Sequence, residues 1–377
     1  MSTKPVKILY TIGQLSIGGT ELQLLELIRN LNRNLFEIRV VCISGPSPLV
    51  HHFTEIGCVV DELETEKRGR VRSLWQLFLI FKEFQPDIVH AYAYASRATI
   101  PIAKLFRRIK IIVSIRTYPD WNITPLEKSA NRFTDFILTN STAAVTAARM
   151  YWPKIPSKAI KNGIDLGKFQ IAAKEVLESI PEKTTLGPGV NKICIVGRLD
   201  PIKGHEDLIR AFGSINKQIS KMQLWIIGDG PLRQSLAKLV NELELVNNVV
   251  FWGERKDVPA ILQQASIGVN ISRREGLSNA IMEYMAAGLA IVATNVGGNA
   301  ELIDNEYNGL LIPPEDPDIL TEKIIFLIKN PQVARMLGIN GREFVESNLT
   351  VDKMVAETQD VYADLLGTEK NLAVDFQ

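Results

Sequence analysis

The sequence predicts an α/β protein made of two doubly wound, mostly parallel sheets. Short apolar runs alternate with helical stretches along the chain, an order typical of parallel strands joined by crossover helices. This alternation stops between residues 164 and 190, a segment without strand periodicity that ends near Gly-Pro-Gly, residues that interrupt regular secondary structure. The alternation then resumes. A length of 377 residues also suits two domains.

The alternation divides the chain into four segments. We predict a first domain over residues 1–163, a linker over 164–190, a second domain over 191–350, and a C-terminal helix and tail over 351–377. The last helix is amphipathic. We expect this segment to pack back toward the first domain. The strand ends of the two sheets are expected to face a central cleft, since open α/β sheets bind ligands at their carboxyl edge.

Composition describes an ordinary globular protein, with 46% hydrophobic residues. Cys42, Cys58 and Cys194 fall in or beside apolar runs, and their odd number favours buried thiols in a reducing compartment over disulfides. The N-terminus enters a strand without the apolar segment of a signal peptide, and no apolar run reaches the ~18 residues of a membrane span. We therefore expect a cytoplasmic protein.

Charge is unevenly distributed along the chain. Residues 1–165 hold 22 Lys and Arg against 14 Asp and Glu, a net charge of +8, whereas the remainder holds 21 against 28, a net charge of −7. This asymmetry predicts an anionic partner for the first half. No nucleic-acid recognition motif accompanies the charge, so we expect no nucleic acid.

Basic clusters flank apolar segments in this half, which is typical of a protein that lies on anionic lipid. The clustered cations are Lys67, Arg68, Arg70, Arg72, Lys104, Arg107, Arg108 and Lys110. The neighbouring apolar side chains are Trp75, Leu77, Phe78, Ile80 and Phe81. The prediction is peripheral attachment to the inner face of a membrane, and the alternative is that these side chains simply pack on the sheet.

The first strand is predicted over residues 6–13, with a helix directly after it. Thr20 and Gln23 have the spacing of a capping box, which predicts Thr20 as the N-cap. Before them, Gly18 and Gly19 would let backbone amides approach a phosphate, although the stretch matches neither a P-loop nor GxGxxG. An ordinary turn is the alternative.

Two further candidates stand at the carboxyl ends of later strands in the first half. His90 follows an apolar run, and Arg116 ends another, where an open sheet places its ligands. Both side chains are candidates for catalysis, and a structural role in the core is the alternative for the histidine.

In the second half, GRLDPIKG follows a strand and enters a helix, which brings Arg198 and Lys203 into one turn. Two such cations suit a diphosphate, and two solvated loop charges are the alternative. The only DxD sequence is Asp316-Pro317-Asp318, where the proline indicates a helix cap rather than a metal site. No His or Cys cluster has the spacing of metal ligands, so no metal is expected.

Residues 272–303 hold the densest group of candidates. A helix capped by Ser278 and ended by Gly288 is predicted between two strands, with Glu275 in the loop before it and Glu283 in its second turn. Carboxylates accept hydrogen bonds from vicinal hydroxyls, and amides at a helix N-terminus bind anions. The predicted ligand is a nucleotide sugar. Its candidate backbone contacts are Gly276, Leu277, Ser278 and Asn279.

These motifs resemble those of the retaining glycosyltransferases of group 1, the glycogen-synthase-like family 4. Glu275 and Glu283 match its two glutamates, which have seven residues between them, and GRLDPIKG is similar to its GRLxxxKG. Further matches are Gly228, Gly230, residues 162–165, Phe169, Ala287, Gly288, Ala290, Val292, Gly297 and Gly298. The resemblance implies GT-B architecture, with two Rossmann-like domains facing a central cleft, acceptor bound by the first and donor by the second.

It also implies transfer of a sugar from a nucleotide-diphosphate sugar to a hydroxyl acceptor with retention of configuration, in surface polysaccharide or lipid-linked glycan synthesis. Glu283 would bind the ribose, Glu275 the donor sugar, and Arg198 and Lys203 the leaving diphosphate. The glycines implied at the donor site are Gly18, Gly19, Gly228 and Gly230. No cofactor is implied, and a UDP-sugar is favoured over a GDP-sugar as co-substrate.

One segment departs from the family pattern. Many members carry a catalytic histidine where this chain has Ser114-Ile115-Arg116. Arg116 is therefore expected to hold an anionic or hydroxyl-rich acceptor, or His90 to compensate. The alternative functions are a nucleotide-sugar epimerase or hydrolase of the same fold, which would need no acceptor, and an inactive nucleotide-sugar binding protein.

Overall fold

The computed structural model of the protein describes residues 4–44, 47–92, 95–106, 108–116, 124–172, 180–182, 184 and 189–367. The chain forms two compact units. Residues up to Gly163 and from Val351 onward form the first, and Ile164–Thr350 form the second. Within the predicted linker and tail, residues 173–179, 183, 185–188 and 368–377 lie outside the described ranges.

The first unit is built on a seven-stranded parallel sheet. Its strands are β1 (Val6–Ile12), β2 (Phe36–Cys42), β3 (Val59–Glu62), β4 (Ile88–Tyr92), β5 (Lys110–Ile115), β6 (Phe136–Thr139) and β7 (Ser157–Ala159). They lie in the order β3-β2-β1-β4-β5-β6-β7, so the direction of winding reverses between β1 and β4. In that pair Ile8 lies opposite Ile88.

The second unit has a six-stranded parallel sheet of the same kind. Its strands are β8 (Asn191–Val196), β9 (Met222–Ile227), β10 (Val249–Gly253), β11 (Ile267–Asn270), β12 (Ala290–Thr294) and β13 (Leu310–Ile312). The order β10-β9-β8-β11-β12-β13 reverses between β8 and β11, where Cys194 lies opposite Gly268. Two doubly wound sheets are therefore present, as the alternation of strands and helices predicts.

Helices connect the strands in both units. Those of the first are α1 (Gly19–Asn30), α2 (Val50–Glu55), α3 (Thr65–Arg68), α4 (Arg70–Phe84), α5 (Ser96–Ala103), α6 (Pro125–Ala130) and α7 (Thr142–Tyr151). Those of the second are α8 (Leu166–Ala172), α9 (His205–Gln218), α10 (Arg233–Glu242), α11 (Val258–Leu262), α12 (Asn279–Ala286), α13 (Asn299–Leu302), α14 (Pro317–Lys329) and α15 (Pro331–Asn348). The last helix, α16 (Val351–Leu366), belongs to the first unit.

Helices cover both faces of each sheet, which explains why the strands read as continuous apolar runs. In β1, Ile8 and Tyr10 pack in a cluster that includes Tyr362 of α16, whereas Leu9 points to the other face and packs in a cluster with Phe81 of α4. All three cysteines are free and buried, as their positions in apolar runs predict.

Helix boundaries follow the predicted signals in the second unit but not in α1. Ser278 caps α12, because its hydroxyl oxygen accepts a hydrogen bond from the Ile281 amide at 3.3 Å. The prediction that Thr20 caps α1 is wrong. This helix begins at Gly19, and its N-cap is Gly18, two residues before Thr20, with an extended conformation and no side-chain hydrogen bond.

Candidate active site

The candidate site of the second unit lies where its strand order reverses. The loops after β8 and β11 leave the sheet at the same edge, because these parallel strands are direct neighbours. The first loop starts at Gly197 and ends in a short 3₁₀ helix, Pro201–Lys203, whose N-cap is Asp200. This turn places Lys203 at the start of α9, beside the loop that follows β11.

Lys203 and Glu275 form an ion pair across these two loops. Lys203 Nζ lies 2.5 Å from Glu275 Oε1, and Ser272 Oγ donates a hydrogen bond to the same oxygen at 2.7 Å. The lysine side chain is 28% exposed and the glutamate side chain 10%. Glu275 Oε2 takes no hydrogen bond from a residue that the structure describes, so this oxygen is the one left for a ligand.

Two buried asparagines support the ion pair. Asn270 Nδ2 donates to Ser278 Oγ at 2.9 Å and lies 3.5 Å from Glu275 Oε1. Asn299 Nδ2 donates to Asn270 Oδ1 at 3.3 Å and to the carbonyl oxygen of Thr294 at 3.0 Å. Neither asparagine belongs to the site that the sequence predicts. One sequence feature could have pointed to Asn270 as part of the site, because it is a polar residue at the end of an apolar strand.

The N-terminus of α12 faces the same edge of the sheet. The turn before this helix is held by Gly298, whose amide donates to the carbonyl oxygen of Gly276 at 2.9 Å. A Cβ atom at Gly298 would come within 2.0 Å of that oxygen, so only glycine fits. The amides that follow, those of Leu277, Ser278 and Asn279, belong to the turn and helix start where anions bind.

Glu283 lies in the second turn of α12, and no described residue donates a hydrogen bond to its carboxyl group. Burial raises the pKa of this group to about 7, while the Lys168 charge acts in the lowering direction. The neighbouring Tyr284 fixes the helix to the sheet, because its hydroxyl accepts from the Val196 amide at 2.7 Å and donates to the Val269 carbonyl at 3.2 Å. A half-buried carboxyl group with a raised pKa in the second turn of this helix is a candidate functional group.

The loops after β8 and β9 meet through their backbones. At Gly228, with φ of +132°, a Cβ atom would come within 2.1 Å of the Gly197 carbonyl oxygen. Gly230 lies in the same turn. Arg198 lies in the loop after β8, but its side chain is exposed and forms no ion pair with a described residue. The structure therefore brings these glycines beside the Arg198 loop and leaves the Arg198 guanidinium outside the ion pair.

In the first unit, His90 lies in the core. Its side chain is 0% exposed, its Nδ1 atom lies 2.8 Å from the Tyr362 hydroxyl, and its Nε2 atom lies 2.7 Å from Ser114 Oγ. Burial lowers the pKa of His90 to about 3, and the Arg116 charge acts in the same direction, so the imidazole is neutral at pH 7. This geometry is that of a core histidine, which exposes no atom to a substrate.

Arg116 and the glycine pair lie at the edge of the first sheet. Arg116 follows β5, and its Nη1 atom donates to Asn162 Oδ1 at 2.7 Å. Gly18 and Gly19 stand at the start of α1, where the Glu21 carboxylate folds back toward Gly18 and accepts a hydrogen bond from Ser16 Oγ at 3.2 Å. A carboxylate thus occupies the helix start at which the sequence predicts a phosphate.

The described residues form neither a cluster of metal-binding side chains nor a helix that could span a membrane. Among them, no three or more His, Cys, Asp or Glu side chains are grouped as they would be around a metal ion. Asp316, part of the DxD sequence, caps α14 by accepting from the Ile319 amide at 3.0 Å, as predicted. No helix within the described ranges has both the length and the apolar character needed to cross a membrane.

Two family models match the chain, one in each half. Residues 17–168 match Glycosyltransferase Family 4, and residues 177–344 match Glycosyl transferases group 1. The N-acetyl-alpha-D-glucosaminyl L-malate synthase of Bacillus anthracis is 23% identical over 76% of each chain. The UDP-Gal:alpha-D-GlcNAc-diphosphoundecaprenol alpha-1,3-galactosyltransferase of Escherichia coli is 26% identical over 78% of this chain and 80% of the relative.

Solved structures show the same fold over nearly the whole chain. HepE of Anabaena, crystallised with UDP, superposes with a TM-score of 0.80 at 19% identity, covering 96% of this chain and all of HepE. The sucrose-phosphate synthase of Thermosynechococcus elongatus superposes with a TM-score of 0.79 at 20% identity, covering 97% of this chain and all of that one. The predicted GT-B fold is confirmed.

Proposed function

Because this chain belongs to the group 1 glycosyltransferases, we propose that it moves a sugar from a nucleoside-diphosphate sugar to a hydroxyl group of an acceptor with retention of anomeric configuration. The observation that carries the proposal is the Lys203–Glu275 ion pair beside the N-terminus of α12. A cation, a carboxylate and backbone amides meet there at the switch point of a parallel sheet, and together they suit a phosphorylated sugar.

The second unit binds the donor in this proposal. Lys203 stabilises the departing diphosphate, and the exposed Arg198 side chain joins it there. Glu275 Oε2 accepts a hydrogen bond from a donor sugar hydroxyl, and Glu283 accepts from the ribose. The acceptor oxygen bonds to the anomeric carbon on the face from which the diphosphate leaves. A diphosphate oxygen takes the acceptor proton, so no protein base is required.

The experiment that tests this function is a ligand panel of UDP-, GDP- and ADP-sugars. A donor that binds the folded protein raises its melting temperature, and we expect one base to dominate. A UDP-sugar is favoured, since HepE was crystallised with UDP-glucose and the E. coli relative is named for UDP-Gal. GDP-mannose-dependent mannosyltransferases of Mycobacterium tuberculosis are also 26% identical, so GDP-sugars belong in the panel. If no nucleotide sugar shifts the melting temperature, the proposed function is refuted.

Turnover is expected to survive removal of divalent cations. Lys203 and Arg198 supply positive charge where the diphosphate would leave, a role that a metal ion plays in other transferases. Initial rates should therefore agree within about twofold before and after treatment with excess EDTA. Complete loss of activity, restored by Mg²⁺ or Mn²⁺, would show that a metal takes part.

The acceptor is proposed to be a glycan or a lipid-linked sugar in surface polysaccharide synthesis. The E. coli relative is named for an acceptor sugar on diphosphoundecaprenol, and the mycobacterial one for phosphatidylinositol monomannoside. Such acceptors lie in a membrane. We propose that the first unit attaches to anionic lipid on the cytoplasmic side and reaches them there.

The apolar surface of α4 supports this attachment. Leu77, Ile80 and Phe81 are buried in the core, as the packing alternative predicts, whereas Trp75 is 60% exposed and Val71 is 83% exposed. Exposed cations accompany them. Arg70 and Arg72 lie on the same helix, Lys104 directly precedes the exposed Leu105, and Arg108 follows three residues later, while Arg107 lies outside the described residues. Apolar and cationic side chains together are typical of attachment to anionic lipid.

Attachment can be measured by sedimentation with vesicles that contain anionic lipid. We expect the protein to sediment at low salt, and Arg70→Glu/Arg72→Glu to reduce the bound fraction several-fold, because about 1 kcal/mol is lost for each cation near the surface. Binding should also weaken at 0.5 M salt. Arg132→Glu/Lys154→Glu, which reverses two exposed cations of other elements, is the matched control. Protein that stays in the supernatant with strongly anionic vesicles at low salt would indicate a soluble acceptor.

A further inference from the structure

Arg116 is held at the carboxyl edge of the first sheet by neutral groups. Its Nη1 atom donates to Asn162 Oδ1 at 2.7 Å, and its guanidinium lies over the Tyr92 ring, 5.7 Å from the ring centroid. Its backbone carbonyl oxygen is 3.5 Å from Asn140 Nδ2. Tyr92, Asn140 and Asn162 are all more than nine-tenths buried. The arginine is therefore held in position by contacts with buried residues.

No negative charge balances the Arg116 cation within the described part of the chain, because no carboxylate of the described residues pairs with this arginine. The nearest titratable groups are neutral at pH 7. Burial lowers the pKa of His90 and raises the pKa of the Tyr92 and Tyr362 phenols. The Arg116 Nε atom is itself buried and without a hydrogen-bond partner, as is Asn140 Oδ1.

Two other shielded arginines of this protein have an acid partner, whereas the half-buried Arg233 lies over the Phe251 ring and pairs with no described acid. Arg39 Nε lies 2.7 Å from Asp61 Oδ2 in the first unit, and Arg255 Nη2 lies 2.5 Å from Asp257 Oδ2 in the second. Removing a cation from water without a counter-charge is costly, which is why such pairs are the rule. A guanidinium has five N–H donors in a planar fork that matches a carboxylate or phosphate, and Arg116 uses one of them on a described residue.

We infer that Arg116, with Asn162, forms a binding site for an oxyanion of the acceptor substrate, a phosphate or a carboxylate group. The inference deepens the proposed function and rests on it, since it specifies the charge of the acceptor. The oxyanion accepts two N–H bonds from the guanidinium fork, and it supplies the negative charge that the site lacks. The diphosphate of the donor is the other source of the same chemistry, and the experiment separates the two.

The probes are inorganic phosphate and glucuronate as anions and methyl glucoside as the neutral control. Binding is measured by calorimetry in an Arg198→Ala/Lys203→Ala background, which removes the cations proposed for the donor diphosphate. We expect Arg116→Gln to weaken binding of at least one anion tenfold or more, and to leave methyl glucoside unaffected. Arg132→Gln removes an exposed cation of the same unit and should change nothing.

Arg116→Lys provides the second variant, because it keeps the charge but loses the planar fork. It should bind the anion several-fold more weakly than the parent protein, and it covers the case in which Arg116→Gln does not fold. Equal anion affinity in the parent and in both Arg116 variants would overturn the inference.

The donor is separated from the acceptor by measuring UDP binding with Arg198 and Lys203 intact. Arg116→Gln should change UDP affinity less than twofold, and a loss of tenfold or more would assign the arginine to the donor diphosphate instead. A protein that binds phosphate through Arg116 but no nucleotide sugar would refute the proposed function while the anion site itself stood.

Discussion

Lys203→Ala should lower kcat by about 100-fold or more, with a smaller effect on KM. Charge accumulates on the diphosphate only as its bond to the sugar breaks, so the ammonium group contributes most in the transition state. The ion pair with Glu275 holds this lysine in place before the donor arrives, which spares the reaction the reorganisation of a long, flexible side chain. Initial rates of nucleoside diphosphate release, measured with the donor that the panel identifies, check the expectation.

Loss of the lysine also leaves Glu275 partly buried and without its cation, so the variant is expected to lose stability, on the order of 1–3 kcal/mol. Thermal unfolding must therefore show that Lys203→Ala is folded at the assay temperature. Lys238→Ala is the matched control, because Lys238 lies in the same unit with its side chain 80% exposed. Wild-type turnover by a folded Lys203→Ala protein would remove Lys203 from the mechanism.

Glu283→Gln should act in opposite directions on stability and on ligand affinity. Because burial raises the pKa of this carboxyl from 4.5 to about 7, the folded protein keeps a proton that the unfolded chain releases between these values. The free energy of unfolding therefore falls as pH rises through this window, and the cost is fully present above pH 7. Glutamine cannot ionise, so Glu283→Gln removes this cost. We predict that the free energy of unfolding rises by roughly 2–3 kcal/mol at pH 8 and changes little near pH 4.5.

Nucleotide affinity should change the other way. The ionised carboxylate accepts hydrogen bonds from the ribose hydroxyls more strongly than the protonated form, so affinity for the nucleoside diphosphate should rise with pH through about 7. Glu283→Gln is expected to weaken binding about 10-fold or more at pH 8 and to flatten this dependence. Calorimetry across pH tests both points, with Glu322→Gln, on an exposed face of α14, as the control. Unchanged affinity in Glu283→Gln would exclude a ribose contact.

The sheets and their winding could be predicted because they follow from local signals. Apolar runs of strand length alternate with amphipathic stretches, and right-handed crossovers leave few ways to arrange them. Local chemistry also sufficed for the caps at Ser278 and Asp316, where a side-chain oxygen needs to reach only three residues ahead. At the start of α1, the capping-box spacing predicted Thr20 as the N-cap, but Gly18, directly before the helix, occupies that position.

Contacts between side chains that are distant in sequence could not be predicted from such local signals. The ion pair joins Lys203 to Glu275 across 72 residues, and its supporting Asn299 comes from the start of α13. His90 was expected at the carboxyl end of a strand, but it lies in the middle of β4, and Tyr362, 272 residues later, covers it. Only the assembled unit shows that the histidine is in the core. The neutral residues around Arg116 likewise come together only in the folded unit.

The return of α16 to the first unit has a consequence for how the protein is made. Met354, Val355 and Tyr362 complete the core of a sheet whose first strand begins at Val6, and the Tyr362 hydroxyl lies 2.8 Å from that of Tyr10. During translation, residues 164–350 emerge as one uninterrupted stretch and can close first. The first unit can complete its core only after α16 has left the ribosome, so the apolar residues that pack against α16 stay exposed until then.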